Sequence, residues 1–161
     1  MDELTAEQKG NLLRLRKKFN TGKRELFKAF TDETLLSKWW APEGFLTVTH
    51  SMNFKTGGSW EYSMEDEEDT DEIMYCAMEF TAVNAPDSFS YKDYYTDDTF
   101  KFDADDYVNQ TTVAFEEIDG VTEAVMTIEF KDEESLEEEI AAGVIEGTEM
   151  CYRNLERLIE K

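Results

Sequence analysis

The sequence predicts an α+β fold: an antiparallel sheet of about six to seven strands gripping a long C-terminal helix, with two short helices after the first strand. Three observations carry this. Between Lys23 and Trp40 apolar residues recur at helical spacing, and after Phe45 they switch to strict alternation. Asp132–Lys161 then returns to steps of three and four, with Ile140, Val144, Thr148, Cys151, Leu155 and Leu158 on one face. Finally, a sheet with one polar face needs its apolar face covered, and only this last element is long enough to do so, at roughly 40 Å for 1.5 Å per residue.

Taken in order, residues 1–10 read as a polar extension, and the domain as residues 11–161. In Asn11–Asn20, Leu13, Leu15 and Phe19 alternate with Arg14, Arg16 and Lys18, which gives a first strand with one wet face. Thr21-Gly22 turns the chain into a short helix carrying Leu26, Phe27 and Phe30. Asp32 is placed to cap a second, with Leu35, Leu36, Trp39 and Trp40. Ala41-Pro42-Glu43-Gly44 breaks it. Phe45–Phe54 follows as a strand with Val48, His50, Met52 and Phe54 on one face. Lys55–Gly58 turns into Ser59–Met64, where Trp60, Tyr62 and Met64 share a face. Glu65–Glu72 is a solvated acidic loop. Ile73–Asn84 is a strand, and Phe89, Tyr91 and Asp93 alternate along the next one. Asp97–Gln110 is acidic and irregular, the expected mobile loop. Thr111–Ile118 and Val121–Phe130 form a hairpin about Asp119-Gly120. Asp132 then caps the long helix, whose first turn is acidic and whose last turns are basic.

Composition limits the function. The 161 residues are 40% apolar and 13% aromatic, sufficient for one packed domain. The net charge of −22 repels phosphate backbones and anionic lipid, so neither nucleic acid nor a membrane surface is an expected partner. Without an apolar run long enough to span a bilayer or a signal-like N-terminus, a cytoplasmic protein is expected. Cys76 and Cys151 read as buried free thiols, and the Asn109-Gln110-Thr111 sequon is discounted.

The motifs resemble a known family. Lys23–Phe45 carries Leu-x-x-Trp-Trp-x-Pro-x-Gly, and Met52–Tyr62 carries Gly-Gly-x-Trp. Asn84-Ala85-Pro86-Asp87 matches a turn, Phe115-Glu116-Glu117 a late hairpin, and Gly143–Leu158 the final helix. Together they resemble the START-like (polyketide cyclase and birch-pollen-allergen-like, SRPBCC) superfamily, in the branch of homologues of the activator of the heat-shock chaperone ATPase. The resemblance implies a helix-grip fold over roughly residues 11–160. It also implies a cavity under the final helix, which in the wider superfamily holds lipids, sterols, hormones or polyketides. Asn53 departs from the usual Asp of the pattern. Thr148 stands where a Trp usually follows Gly147, which should leave room between helix and sheet.

The expected function is therefore binding of an apolar or amphipathic small molecule between sheet and helix, with no cofactor or metal. The expected pocket residues are Trp39, Trp40, His50, Met52, Trp60, Tyr62, Met78, Tyr91, Met126, Val144, Thr148 and Cys151. His50 is the sole histidine: by default it packs in the core or lines the pocket, and its sharper role would be ligand contact or acid/base work. Gly143 and Gly147 mark either close approach of helix to sheet, or ligand space and a hinge. The acidic loops lack the calcium-loop pattern. Two alternatives stay open. One is a chaperone co-factor-like module binding a protein through Arg14, Arg16, Lys17 and Lys18. The other is an enzyme of cyclase or hydrolase type using the same cavity, against which counts the lack of a visible acid/base pair.

Overall fold

In a computed structural model, which describes residues 3–41, 44–69 and 71–160, all strands join one antiparallel sheet. They are β1 (Thr5–Lys9), β2 (Leu12–Phe19), β3 (Phe45–Met52), β4 (Ser59–Asp66), β5 (Ile73–Asn84), β6 (Ser88–Thr96), β7 (Asn109–Ile118) and β8 (Val121–Phe130). Their spatial order is β1-β2-β8-β7-β6-β5-β4-β3. The helices are α1 (Lys23–Thr31), α2 (Glu33–Trp39), α3 (Glu133–Ala141) and α4 (Val144–Ile159). The helix-grip α+β architecture stands, with eight strands instead of six or seven. The added strand is β1: Thr5–Lys9, expected as an extension, pairs along β2 from Thr5 opposite Arg16 to Lys9 opposite Leu12.

One face of the sheet is the core. Alternation puts Leu13, Leu15 and Phe19 of β2, Val113 and Phe115 of β7, and Met126, Ile128 and Phe130 of β8 against the helices, all buried. α1 and α2 close one end with a cluster of rings in which Phe30 meets Trp39, Phe115 and Tyr152 edge-on at 4.8, 5.1 and 6.0 Å. The Trp39 indole N–H donates to the Ala29 carbonyl at 2.8 Å, so this large buried ring leaves no polar atom unpaired. Asp32 caps α2 by accepting from the Thr34 and Leu35 amides, and Asp132 caps α3 by accepting from Ser135.

The long C-terminal helix is in fact two. Gly143 takes φ +100°, the left-handed conformation that ends a helix, and its N–H returns to the Ile140 carbonyl at 3.1 Å. The apolar stripe survives the break because α4 restarts at once, which is why periodicity alone reads straight through it. α4 is tied to the sheet by Lys17, the third inward residue of β2, whose Nζ meets Glu156 at 2.9 Å.

Two further expectations change. A bulge between Thr49 and Ser51 shifts the register of β3 on β4. Thr49 and Met52 therefore stand opposite the inward Tyr62 and Trp60, and His50 turns to the outer face. The acidic segment 97–108 is a docked strap. Phe102 stacks on Tyr94 at 4.0 Å, Phe100 packs against Tyr75 and His50, and the Tyr107 ring lies under the ammonium groups of Lys92 and Lys131.

Candidate functional site

The site follows from a mismatch between the sheet and α4. Strands β4, β5, β6 and β8 face Thr148, Cys151 and Tyr152 of α4 across a gap. Gly147 has no side chain, and a Cβ built there would meet nothing within 4 Å. The Thr148 hydroxyl turns back to donate to the Val144 carbonyl at 2.8 Å and does not reach across. The glycines thus do not mark close approach of helix to sheet. What remains is a cavity of about 220 Å³.

Its walls are Trp39 of α2 and its C-cap Trp40, Tyr62 and Met64 from β4, Met74 and Cys76 from β5, and Asp93, Tyr94 and Tyr95 from β6. Val108, Asn109, Met126, Thr148, Cys151 and Tyr152 complete it. Met74 and Tyr95 are 49% and 61% exposed, so they mark the open mouth. Trp39 and Tyr152 are about 1% exposed and form the floor. The Tyr152 hydroxyl is buried with no hydrogen-bond partner among the described residues.

Among the expected pocket residues, Trp39, Trp40, Tyr62, Met126, Thr148 and Cys151 line this cavity. Trp60, Met78 and Tyr91 instead surround a neighbouring void of about 10 Å³, too tight for more than packed core. Met52 pairs opposite Trp60 and packs on the core outside the cavity, and Val144 joins the core at the first turn of α4. His50 is corrected outright. Its Nε2 lies 3.0 Å from the Ser63 hydroxyl and its ring 4.8 Å from Phe100, all on the outer side of the sheet.

The residue that sequence reasoning passed over is Asp93. It stands on the inner face of β6, directly between Asn109 of β7 and Met78 of β5. The Asn109 Oδ1 accepts from the Thr111 hydroxyl at 2.8 Å, which leaves its amide to donate to the Asp93 carboxylate. Burial pushes this carboxyl up to about 7, against the opposing Asn109 hydrogen bond and with help from the charge of Glu139. The signal was present in Phe89-x-Tyr91-x-Asp93, where an acid continues an inward apolar alternation. Around it, burial also pushes the Cys76 thiol up to about 12 and Cys151 up to about 11, so both stay protonated and poorly nucleophilic at neutral pH. Desolvation likewise raises Tyr62 and Tyr91.

Among the described residues no group of three His, Cys, Asp or Glu side chains is set to hold a metal, and no helix is long and apolar enough to cross a membrane. Two of the four basic residues of β2 are engaged in ion pairs within the fold. Arg16 lies 3.7 Å from Glu7 and 3.4 Å from Glu123, Lys17 pairs with Glu156, and Lys18 alone of the four is fully exposed.

An antiparallel sheet closed over a C-terminal helix, with a ring-lined cavity beneath that helix, defines a helix-grip protein of the START-like superfamily. The family model described as Activator of Hsp90 ATPase homolog 1-like protein matches residues 20–160, and the chain belongs to that family. A Staphylococcus epidermidis protein solved by NMR is 27% identical with TM-score 0.86, covering 97% of this chain and 93% of that one. A Mycobacterium smegmatis protein is 24% identical with TM-score 0.84, covering 98% and 96%. A Plasmodium falciparum protein titled an HSP90 activator shares the fold at 19% identity and TM-score 0.61, covering 92% and 96%. No curated protein matches the sequence.

The two glycines of the Gly-Gly-x-Trp motif now have physical reasons. Gly57 takes φ +87°, and any Cβ on Gly58 would overlap the Asn53 carbonyl oxygen. The turn also exchanges backbone hydrogen bonds with Phe80 of β5, which sets Trp60 and Tyr62 stacked at 3.9 Å.

Proposed function

We propose that the chain binds a small apolar or amphipathic molecule in the cavity between the sheet and α4. The observation that carries this is the cavity itself: about 220 Å³ walled by two Trp, four Tyr and three Met side chains, with a mouth open to solvent. An apolar cavity of about 150 Å³ holds benzene, so this one suits a substituted single ring or a short chain, not a sterol. Flexible methionines at and near the mouth let the opening adapt to a guest. The chaperone-activator reading has family membership behind it, but two of the four basic residues offered for it, Arg16 and Lys17, are held in intramolecular ion pairs.

Native mass spectrometry of the purified protein, before and after organic extraction, tests the reading. A small molecule of about the cavity's size that copurifies and is removed by extraction supports it. An identical mass before and after extraction, with melting temperature and Trp fluorescence unmoved by a panel of aromatic and aliphatic fragments, removes it.

A further inference from the structure

The cavity holds one formally charged group. Of its described wall residues Asp93 is the sole acid, and none is basic. Tyr62 and Tyr95 feel the charge of this carboxylate, and Trp40 (which caps α2) and Tyr152 of α4 share its cavity. Across on β7, the Asn109 amide is its side-chain donor among the described residues. An anion that is half-buried, with no basic side chain among the described wall residues, and that shares its cavity with aromatic rings is complementary to a positive charge. The carboxylate would supply the ion pair, and the negative faces of the rings would supply cation–π attraction.

Resting on the cavity-binding reading above, we propose that the ligand is a cationic amphipath, a primary or secondary amine on a small apolar body, with its ammonium against Asp93. The apolar body lies toward Trp39, Met126 and Cys151, and the amine stays beneath the mouth formed by Met74 and Tyr95. The buried Tyr152 hydroxyl adds a polar atom beside the site without a hydrogen-bond partner among the described residues. The chain's net charge of −22 draws cations toward the protein and repels carboxylate analogues of the same shape.

The pairing makes binding depend on pH. The groups facing Asp93 are Tyr62 on β4, Cys76 on β5, Tyr91 and Tyr95 on β6, Asn109 on β7, Glu139 on α3 and Tyr152 near it on α4. The tyrosines and the thiol stay neutral through the neutral range, because burial raises them all. Asp93 itself, pushed up to about 7, therefore governs the profile. Ammonium affinity is full above pH 7 and falls about tenfold per pH unit below it, until the bound complex also takes up the proton.

The experiment uses three probes of one shape: 2-phenylethylamine, 2-phenylethanol and phenylacetate, titrated calorimetrically into the wild-type chain and Asp93→Asn. The expected result at pH 8 is at least tenfold tighter binding of the amine than the alcohol, with no phenylacetate binding. Asp93→Asn should lose that preference while retaining the alcohol. The wild-type pH profile is independent of whether the variant folds, and the amine should weaken below pH 7 while the alcohol does not. Equal affinity for amine and alcohol overturns the cationic ligand and leaves the cavity reading intact. Tighter alcohol binding that improves below pH 7 also overturns it, by making Asp93 a protonated donor. Binding of none of the three overturns both.

Discussion

Replacing Asp93 with Asn should make the protein more stable, and only where the carboxyl would be ionised. The carboxyl is raised from its ordinary 3.8 to about 7 in the fold. A raised acid has more protons bound in the folded state than in the unfolded one between these values. Stability is therefore unpenalised below about pH 4, falls as pH rises toward 7, and carries the full penalty above it. Some three units at 1.36 kcal/mol each set a ceiling of roughly 4 kcal/mol. Asp93 is half-buried near an open cavity, so water screening reduces this to about 2 kcal/mol. For a chain of this length that is a gain of roughly 4–8 °C in melting temperature at pH 8, vanishing near pH 4. Scanning calorimetry of both proteins from pH 4 to 8.5 measures it. The difference between the two curves removes the contribution of the other acids, which titrate alike in both. A difference constant across pH, or an Asn variant less stable at pH 8, would show that the carboxyl is not destabilised by burial. A residue that weakens the fold under neutral conditions is the sort of trade associated with binding sites.

Four further outcomes follow from particular positions. Gly143→Ala should destabilise by about 1–2 kcal/mol because φ +100° is strained for any Cβ. Gly147→Ala should instead stabilise by about 0.5–1 kcal/mol, since it is helix interior with open space around the new methyl; urea denaturation of the two variants separates the signs. Lys17→Met should lower stability by about 1–2 kcal/mol by removing a partner of Glu156, which keeps some solvent access; the same denaturation reads it. His50→Ala should leave binding of any cavity ligand unchanged, as calorimetry would register, because the imidazole lies on the outer face against Ser63 and Phe100.

These contacts also mark where the sequence is informative. Val121–Phe130 falls at the residues expected because its alternation is uninterrupted and turn residues bound it, and Ile73–Asn84 does so because turns bound it, although its register shifts between Phe80 and Ala82. His50 was misplaced because a bulge at Thr49/Ser51 inverts the faces, and a bulge leaves no mark in a run such as Thr-Val-Thr-His-Ser-Met. The split between α3 and α4 was readable only as a glycine. Gly143 within an unbroken stripe fits a tolerated interior glycine as well as a left-handed stop. In segment 97–108 the many acids concealed Phe100, Phe102 and Tyr107, whose burial on the outer face depends on partners from other strands. Asp93 was legible as a position but not as a site. Its significance comes from Asn109 and the rings opposite, which only the register brings together.

The cavity is tested most directly by filling it. Thr148 lines it, and an indole at that position would project into the space between α4 and the sheet. Two-dimensional amide and side-chain NMR of the wild-type chain and Thr148→Trp, each titrated with 2-phenylethanol, reads both fold and occupancy. The wild type should show saturable shifts clustered at Trp40, Tyr62, Met126 and Cys151, while Thr148→Trp keeps a dispersed, folded spectrum and shows none. Equal shifts in both proteins, or a Thr148→Trp chain that fails to fold because the space was already packed, would contradict the account.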